Sequence, residues 1–141
     1  MKILFPADGS KPSIEALQAL LARYDWFADP PALTLLHVHP PIPYGMAARW
    51  VGKHTVDEHY AEESAAALAP SRQLLDQRGI LYTAQTRVGD PAHEIVTAAR
   101  DGGFDAIAMG TRGHSGLTSL MLGSVTQKVV ASATTPVLLL K

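Results

Sequence analysis

The sequence predicts one α/β domain, residues 1–141, built on a doubly wound sheet of five parallel strands with helices on both faces. Two observations carry this prediction: short apolar runs alternate with segments of helical periodicity, and the runs are almost continuously apolar. Strands separated by helices imply parallel pairing through right-handed crossovers, and continuous apolar runs indicate strands covered on both faces. A hydrophobic content of 47% in 141 residues suits one sizeable core.

The first strand and the first helix open the chain. Lys2–Ala7 is an apolar run that predicts a buried strand, and apolar residues between Ile14 and Tyr24 recur at helical spacing. Ser10 or Ser13 is suited to cap this helix, because serine side chains accept hydrogen bonds from free amides at a helix start.

The second strand and a long helix follow. Ala32–Val38 predicts a strand, and a proline-rich loop begins at His39. Residues 46–55 have no clear period, which indicates a loop or a frayed helix. A helix is predicted from Val56 to Arg78 and ends at Gly79, a residue type favoured after a helix C-terminus. Pro70 within it predicts a kink or a break, since proline lacks an amide hydrogen.

The second half of the chain alternates strand and helix and ends in a strand. The predicted elements are strand Ile80–Val88, helix Pro91–Asp101, strand Asp105–Gly110, helix Ser124–Ala133 and strand Pro136–Leu140. Asp90 is suited to cap the helix that follows it, and Pro91 is tolerated at a first helical position.

Unusual residues follow two of the predicted strands. Asp8, Gly9 and Ser10 follow the first strand, and a glycine-rich segment, residues 110–123, follows the fourth. In open α/β sheets, ligands bind beyond the carboxyl ends of the strands, where the strand order reverses. The clustering therefore predicts the order 3-2-1-4-5, which places strands one and four side by side at the reversal.

The glycine-rich segment predicts a phosphate site. Gly110 is expected to turn the chain with a positive φ, and Gly113 is expected to leave backbone amides open to an anion. Gly123 and Ser124 precede the last helix, whose N-terminus offers free amides and a positive dipole end. Ser124 is expected to cap that helix or to donate its hydroxyl to a phosphate.

Charged side chains near these glycines allow two interpretations each. Arg112 is either a solvated surface residue or a phosphate partner, and His114 lies in the same loop. Asp8 is suited both to helix capping and to ligand contact. His37 and His39 lie on one face of the second strand, but the sequence offers no evident third metal ligand. We expect them to be packed or strand-end histidines and expect no metal site.

Composition and motifs exclude several other classes of function. There is no cysteine, which excludes disulfides and thiolate metal sites, and the net charge of −1 argues against nucleic-acid and membrane partners. The apolar runs are too short for a membrane span or a signal peptide, so we expect a cytoplasmic protein. Neither the Walker A loop nor the G-x-G-x-x-G fingerprint is present.

A family resemblance accounts for the glycine spacing. Gly110-x-x-Gly113, nine residues, then Gly123-Ser124 resembles the ATP-binding motif of the universal stress protein family. Segments from "KILFPADGS" at the start to "PVLLL" at the end resemble that family in the same order. The resemblance implies a Rossmann-like fold and an ATP-binding regulatory protein of the stress response, with ATP bound with or without Mg²⁺.

The resemblance also implies which residues meet the nucleotide. Asp8 is expected at the adenine or ribose end, Val38 at adenine through its backbone, and the motif glycines with Ser124 at the phosphates. The full implied set is Pro6, Ala7, Asp8, Val38, Met109, Gly110, Arg112, Gly113, Gly123, Ser124, Val125 and Thr126. No catalytic constellation is evident, so we expect no enzymatic activity beyond slow ATP hydrolysis.

The last strand indicates a partner surface. The apolar residues Val137, Leu138, Leu139 and Leu140 would form an edge that invites pairing with another chain, and members of the resembling family usually dimerise there. We therefore expect a homodimer. An alternative remains open, in which the protein is a dimeric interaction scaffold that binds no nucleotide.

Overall fold

The computed structural model describes residues 1–43, 52–114 and 121–141. The predicted loop or frayed helix at 46–55 lies mostly outside these residues, as do residues 115–120 of the glycine-rich segment. The elements are β1 (Lys2–Pro6), α1 (Lys11–Leu21), a 3₁₀ turn (Tyr24–Trp26), β2 (Ala32–His39), α2 (Lys53–Gln77), β3 (Tyr82–Val88), α3 (Pro91–Asp101), β4 (Ala106–Gly110), α4 (Ser124–Ser132) and β5 (Val137–Leu140).

The five strands form one parallel sheet in the order β3-β2-β1-β4-β5. β1 lies in the middle and pairs with β2 and with β4, so that Ile3 stands opposite both Leu33 and Ala106. The predicted fold class and strand order are therefore confirmed. The reversal lies between β1 and β4, and β3 and β5 form the two edges of the sheet.

Alternate residues of the strands pack into two separate core layers. Ile3 and Phe5 of β1 point towards the layer formed with α1 and α2, whereas Leu4 points towards the layer formed with α3 and α4. The helices contribute their apolar faces to these layers, including Leu17 of α1 and Ile95 of α3. Burial on both faces explains why the strand sequences are apolar without alternation.

The first and second helices differ from the predictions in ways that packing explains. α1 ends at Leu21, and Tyr24, which the periodicity placed in the same helix, lies in the 3₁₀ turn. α2 continues through Pro70, so the predicted break is wrong. Leu68 and Leu75 on either side of the proline are fully buried in the core, and this packing holds the helix across the position that lacks an amide hydrogen.

Candidate functional site

A cleft opens where the carboxyl ends of β1 and β4 meet, at the reversal of strand order. Its volume is about 580 Å³, which lies within the usual range for small-molecule sites. All twelve residues of the predicted nucleotide site line it: Pro6, Ala7, Asp8, Val38, Met109, Gly110, Arg112, Gly113, Gly123, Ser124, Val125 and Thr126. The structure thus brings the whole predicted set together, while their contact with a nucleotide stays a prediction.

Asp8 organises the β1 side of the cleft. One carboxylate oxygen accepts hydrogen bonds from the Ser10 amide at 2.9 Å and from the Ser10 hydroxyl at 2.6 Å. Ser10 in turn is the N-cap of α1 and accepts from the Ser13 amide at 3.3 Å. The other Asp8 oxygen lies 3.0 Å from the point where a Cβ on Gly113 would stand. Asp8 therefore supports the turn with one oxygen and faces the glycine loop with the other.

The start of α4 forms the opposite side. Gly123 is the N-cap, with φ −61° and ψ 155°, and Ser124 is the first helical residue. Ser124 therefore does not occupy the capping position, and contact of its hydroxyl with a phosphate stays a prediction. Thr126 donates its hydroxyl to the Gly110 carbonyl at 3.0 Å, which ties the helix to the end of β4. The first amides of an α-helix have no partner inside it, so this end presents donors to the cleft.

The glycines around the cleft differ in backbone conformation and in what a side chain at each position would contact. Gly9 has φ +78°, and a Cβ there would lie 2.9 Å from the Ala67 carbonyl oxygen, so the turn after β1 requires glycine. Gly110 does not have the predicted positive φ; instead its Cβ would lie 3.2 Å from the Ala16 side chain, because β4 ends close to α1. At Gly123 the nearest described atoms would be 3.6 Å from a Cβ, which is an ordinary van der Waals contact.

The two charged residues of the loop after β4 lie at the cleft in different ways. His114 Nε2 is 2.9 Å from the Asp8 carbonyl oxygen and 4.0 Å from its carboxylate, so this side chain links the loops that follow β1 and β4. Arg112 is exposed and lines the cleft. This position is compatible with both interpretations of Arg112, solvated or phosphate-binding.

Several lining residues were not expected from the sequence. His37, His39, Glu63, Ala66 and Ala67 complete the wall between β2 and α2. No sequence signal marks the α2 residues, because only tertiary packing brings that helix to the end of β2. The two histidines flank Val38, a predicted contact at the end of a strand. This position in the sequence could have predicted that they line the cleft.

Ser13 leaves an unpaired polar atom beside the cleft. It lines the cleft and is 6% exposed, and its hydroxyl oxygen has no hydrogen-bond partner among the described residues. Buried hydroxyl groups are normally paired, so this oxygen is an exception among the described residues, which it shares with the Ser71 hydroxyl of α2.

The described residues contain neither a cluster suited to a metal ion nor a helix suited to a membrane. Within residues 1–43, 52–114 and 121–141, no group of three histidine, aspartate or glutamate residues is arranged to hold a metal ion. In the same part of the chain, no helix combines the length and the apolar character needed to cross a membrane.

Comparison with known proteins gives a family match and a shared fold. The model of the universal stress protein family matches residues 1–141. A universal stress protein of Methanocaldococcus jannaschii is 33% identical over 141 residues, covering 99% of this chain and 81% of the relative. The solved structure of a second protein of that organism, MJ0577, superposes with a TM-score of 0.80 at 30% identity, covering 99% of this chain and 94% of the other.

A more distant solved structure contains a ligand. The universal stress protein from Archaeoglobus fulgidus in complex with dAMP superposes with a TM-score of 0.61 at 22% identity. The match covers 100% of this chain and 98% of the other. At this identity the likeness shows a common fold.

Proposed function

The chain belongs to the universal stress protein family, and from that premise we propose that it is an ATP-binding regulatory protein of the stress response. ATP, with or without Mg²⁺, would lie in the cleft between β1 and β4. The phosphates would lie against the glycine loop and the start of α4, and adenine would lie towards Val38. The adenine nucleotide in the Archaeoglobus fulgidus complex supports the proposal at the level of the fold.

The observation that carries the proposal is the glycine N-cap of α4, which lines the cleft. Gly123 has dihedral angles that any residue adopts, and the nearest protein atoms leave space for a Cβ. The backbone conformation therefore does not require glycine there, and a side chain at this position would stand against the backbone of residues 111–113 at the cleft wall. A bare backbone beside the first amides of a helix is what an anion such as a phosphate needs.

We propose that the protein acts through ATP bound in the cleft and does not hydrolyse it rapidly. Asp8 accepts two hydrogen bonds from Ser10, and His114 is hydrogen-bonded to the Asp8 carbonyl. One Asp8 carboxylate oxygen and the His114 ring are thus engaged in holding the two loops. Phosphoryl transfer depends on groups that position an attacking nucleophile.

Isothermal titration calorimetry with ATP tests the proposal on Gly113→Val and Gly123→Val. Each valine adds a branched side chain to the cradle, and we expect affinity to fall by about tenfold or more, since the amides become blocked. Ala131→Val is the matched control, because it adds the same branches at an exposed position of α4. Binding that is unchanged in both glycine variants would exclude the glycine cradle.

A scaffold that pairs through β5 without nucleotide is the second candidate. Leu138 and Leu139 on this edge strand are 39% and 37% exposed, and an apolar edge favours strand pairing with a second copy. Absorbance at 260 nm of the filtrate from denatured protein separates the candidates. Repeated absence of nucleotide, together with no thermal shift on adding ATP, would favour the scaffold.

A further inference from the structure

A titratable pair lies at the rim of the cleft, where the end of β2 faces α2. His39 and Glu63 both line the cleft, and the Glu63 carboxylate contacts Nε2 of His39. The His39 side chain is only 13% exposed, whereas that of Glu63 is 49% exposed. We call His39 and Glu63 the clasp, because they join two elements whose contacting residues are 24 positions apart.

The hydrogen bonds of His39 require a positively charged ring. Nδ1 lies 2.6 Å from the Pro40 carbonyl oxygen, and Nε2 contacts the Glu63 carboxylate. A carbonyl and an ionised carboxylate accept hydrogen bonds and donate none. Each ring nitrogen must therefore carry a proton, and only the imidazolium ion has both. A neutral ring would leave one nitrogen lone pair facing an oxygen.

The same stretch of α2 makes further contacts with the clasp. His59 Nε2 lies 3.1 Å from the second oxygen of Glu63. The Tyr60 ring lies 4.8 Å from the His39 ring, edge to face, and its hydroxyl accepts from the Ile42 amide at 2.8 Å. α2 thus holds the end of β2 and the residues after it at two points.

The neighbouring strands complete the surroundings of the clasp. The His37 ring lies 6.4 Å from the His39 ring, and its Nδ1 donates to the Ala7 carbonyl at 2.9 Å. On β3, Val88 stands opposite His39 and carries no charge. Arg87 precedes it and is 3.3 Å from Glu94 of α3. Glu63 is therefore the carboxylate that meets the His39 ring.

The pKa shifts have the sign that a charged pair requires. Burial lowers the pKa of His39, but the hydrogen bonds with Glu63 and the Pro40 carbonyl and the charge of Glu63 raise it above its ordinary value overall. The hydrogen bond with His39 holds the pKa of Glu63 below its ordinary value. A raised histidine pKa contributes stability that is complete below the ordinary value and is lost as the pH rises through the raised value.

We propose that His39 and Glu63 are positioning residues for the ligand, which hold α2 against the end of β2 and make binding in the cleft weaker at higher pH. The adenine nucleotide as ligand rests on the proposed function. Two effects act in the same direction when His39 loses its proton: the cleft wall is released, and a positive charge disappears from a site that receives an anion.

The charge state of the clasp is measured by NMR titration of the histidine rings in the 141-residue chain without ligand. We expect the His39 midpoint to lie above the ordinary pKa of about 6.5 and to fall in Glu63→Gln, which keeps an acceptor and removes the charge. Glu62→Gln is the matched control, since it removes an exposed carboxylate from the preceding residue. Equal His39 midpoints in the wild type and Glu63→Gln would overturn the clasp.

Binding is measured by calorimetry with ATP at two pH values. We expect the affinity ratio of wild type to Glu63→Gln to be about two- to fivefold larger near about pH 6 than near about pH 8.5, on the scale of a partly exposed ion pair. The ratio of wild type to Glu62→Gln should stay constant. ATP changes its own protonation equally for all three proteins, so these ratios isolate the protein.

The possible failures are distinguishable. An affinity ratio to Glu63→Gln that is the same at both pH values would overturn the positioning role while leaving ATP binding in place. If none of the three proteins binds ATP although the His39 midpoint still depends on Glu63, the proposed function and the positioning role are both overturned, and only the ion pair stands.

Discussion

The helices after β3 and β4 begin differently, although both contribute residues to the cleft. At α3, the Asp90 carboxylate accepts from the His93 amide at 3.0 Å, and Glu94 adds a second negative charge in the first turn. At α4, Gly123 occupies the capping position, and the first turn contains no acidic residue. The two N-termini have the same dipole direction and the same kind of free amides, but only α3 provides its own anion.

The N-terminus of α3 is capped by the protein itself, whereas the N-terminus of α4 is suited to a ligand. Free amides at a helix N-terminus attract negative charge, and a capping carboxylate of the chain satisfies that attraction permanently. At α4 the capping residue Gly123 lines the cleft without a side chain, and the described atoms nearest to a Cβ there belong to the backbone of residues 111–113. The proposed phosphates would take the place that Asp90 takes at α3.

Giving α4 the cap of α3 is the most severe test of this comparison. In Gly123→Asp we expect ATP affinity to fall by about 100-fold, because like charges about 6 Å apart repel by roughly 3 kcal/mol near a protein surface. The free energy of unfolding should stay equal or rise by a few tenths of a kcal/mol, since aspartate caps a helix slightly better than glycine. Calorimetry and urea denaturation measure the two quantities.

A neutral cap separates charge from size. Gly123→Asn adds a side chain of the same shape and caps comparably, without the negative charge. We expect it to bind ATP more weakly than the wild type and more strongly than Gly123→Asp. Equal affinities for the aspartate and asparagine variants would show that space, not charge, decides binding at this position.

Removing the cap of α3 should affect stability and leave binding intact. For Asp90→Ala we expect the free energy of unfolding to fall by about 1 kcal/mol, the usual effect of losing an N-cap side chain. Asp90→Asn retains a capping oxygen and serves as the control. ATP affinity should match the wild type in both variants. A large loss of affinity in Asp90→Ala would mean that the two helix starts do not have separate roles.

The smallest expected effect concerns the first residue of α4. Ser124→Ala removes a hydroxyl that is not needed as a cap, because Gly123 holds that position. We expect ATP affinity to fall about threefold, the scale of one hydrogen bond of modest net strength. Stability in urea should be unchanged. A fall in stability without a change in affinity would instead indicate that the hydroxyl supports the helix.

Periodicity and turn chemistry were sufficient for the fold. Apolar runs, the Asp90-Pro91 start of α3 and the glycine after α2 are local signals, and the structure has the corresponding elements. The strand order followed from the clustering of Asp8 and the glycine-rich segment, since both must reach one reversal point. The break at Pro70 was predicted wrongly because burial of Leu68 and Leu75, a tertiary effect, decides there.

Prediction of the site was limited in the same way. The site residues contributed by β1, β2 and β4 lie at or just after the carboxyl ends of these strands. Carboxyl ends of parallel strands always meet at one edge of the sheet, so the sequence was sufficient to predict these residues. Glu63 lies in the middle of a long helix, and its approach to His39 depends on how α2 crosses the sheet. The reason for Gly110 was also inaccessible, because the contact with Ala16 exists only once α1 packs beside β4.

A hydrogen bond joins the outer edge of the sheet to the start of the glycine-rich segment. The Thr111 amide donates to the Leu140 carbonyl at 3.2 Å, one residue beyond the pairing of Gly110 with Leu140. A strand from a second copy aligned on β5 would restrain Leu140 and, through this last rung of the ladder, the first residue of the loop. Self-association would then restrict the motion of the same peptide units that are expected to contact the phosphates. Dimer formation and nucleotide binding would thus be coupled through this hydrogen bond.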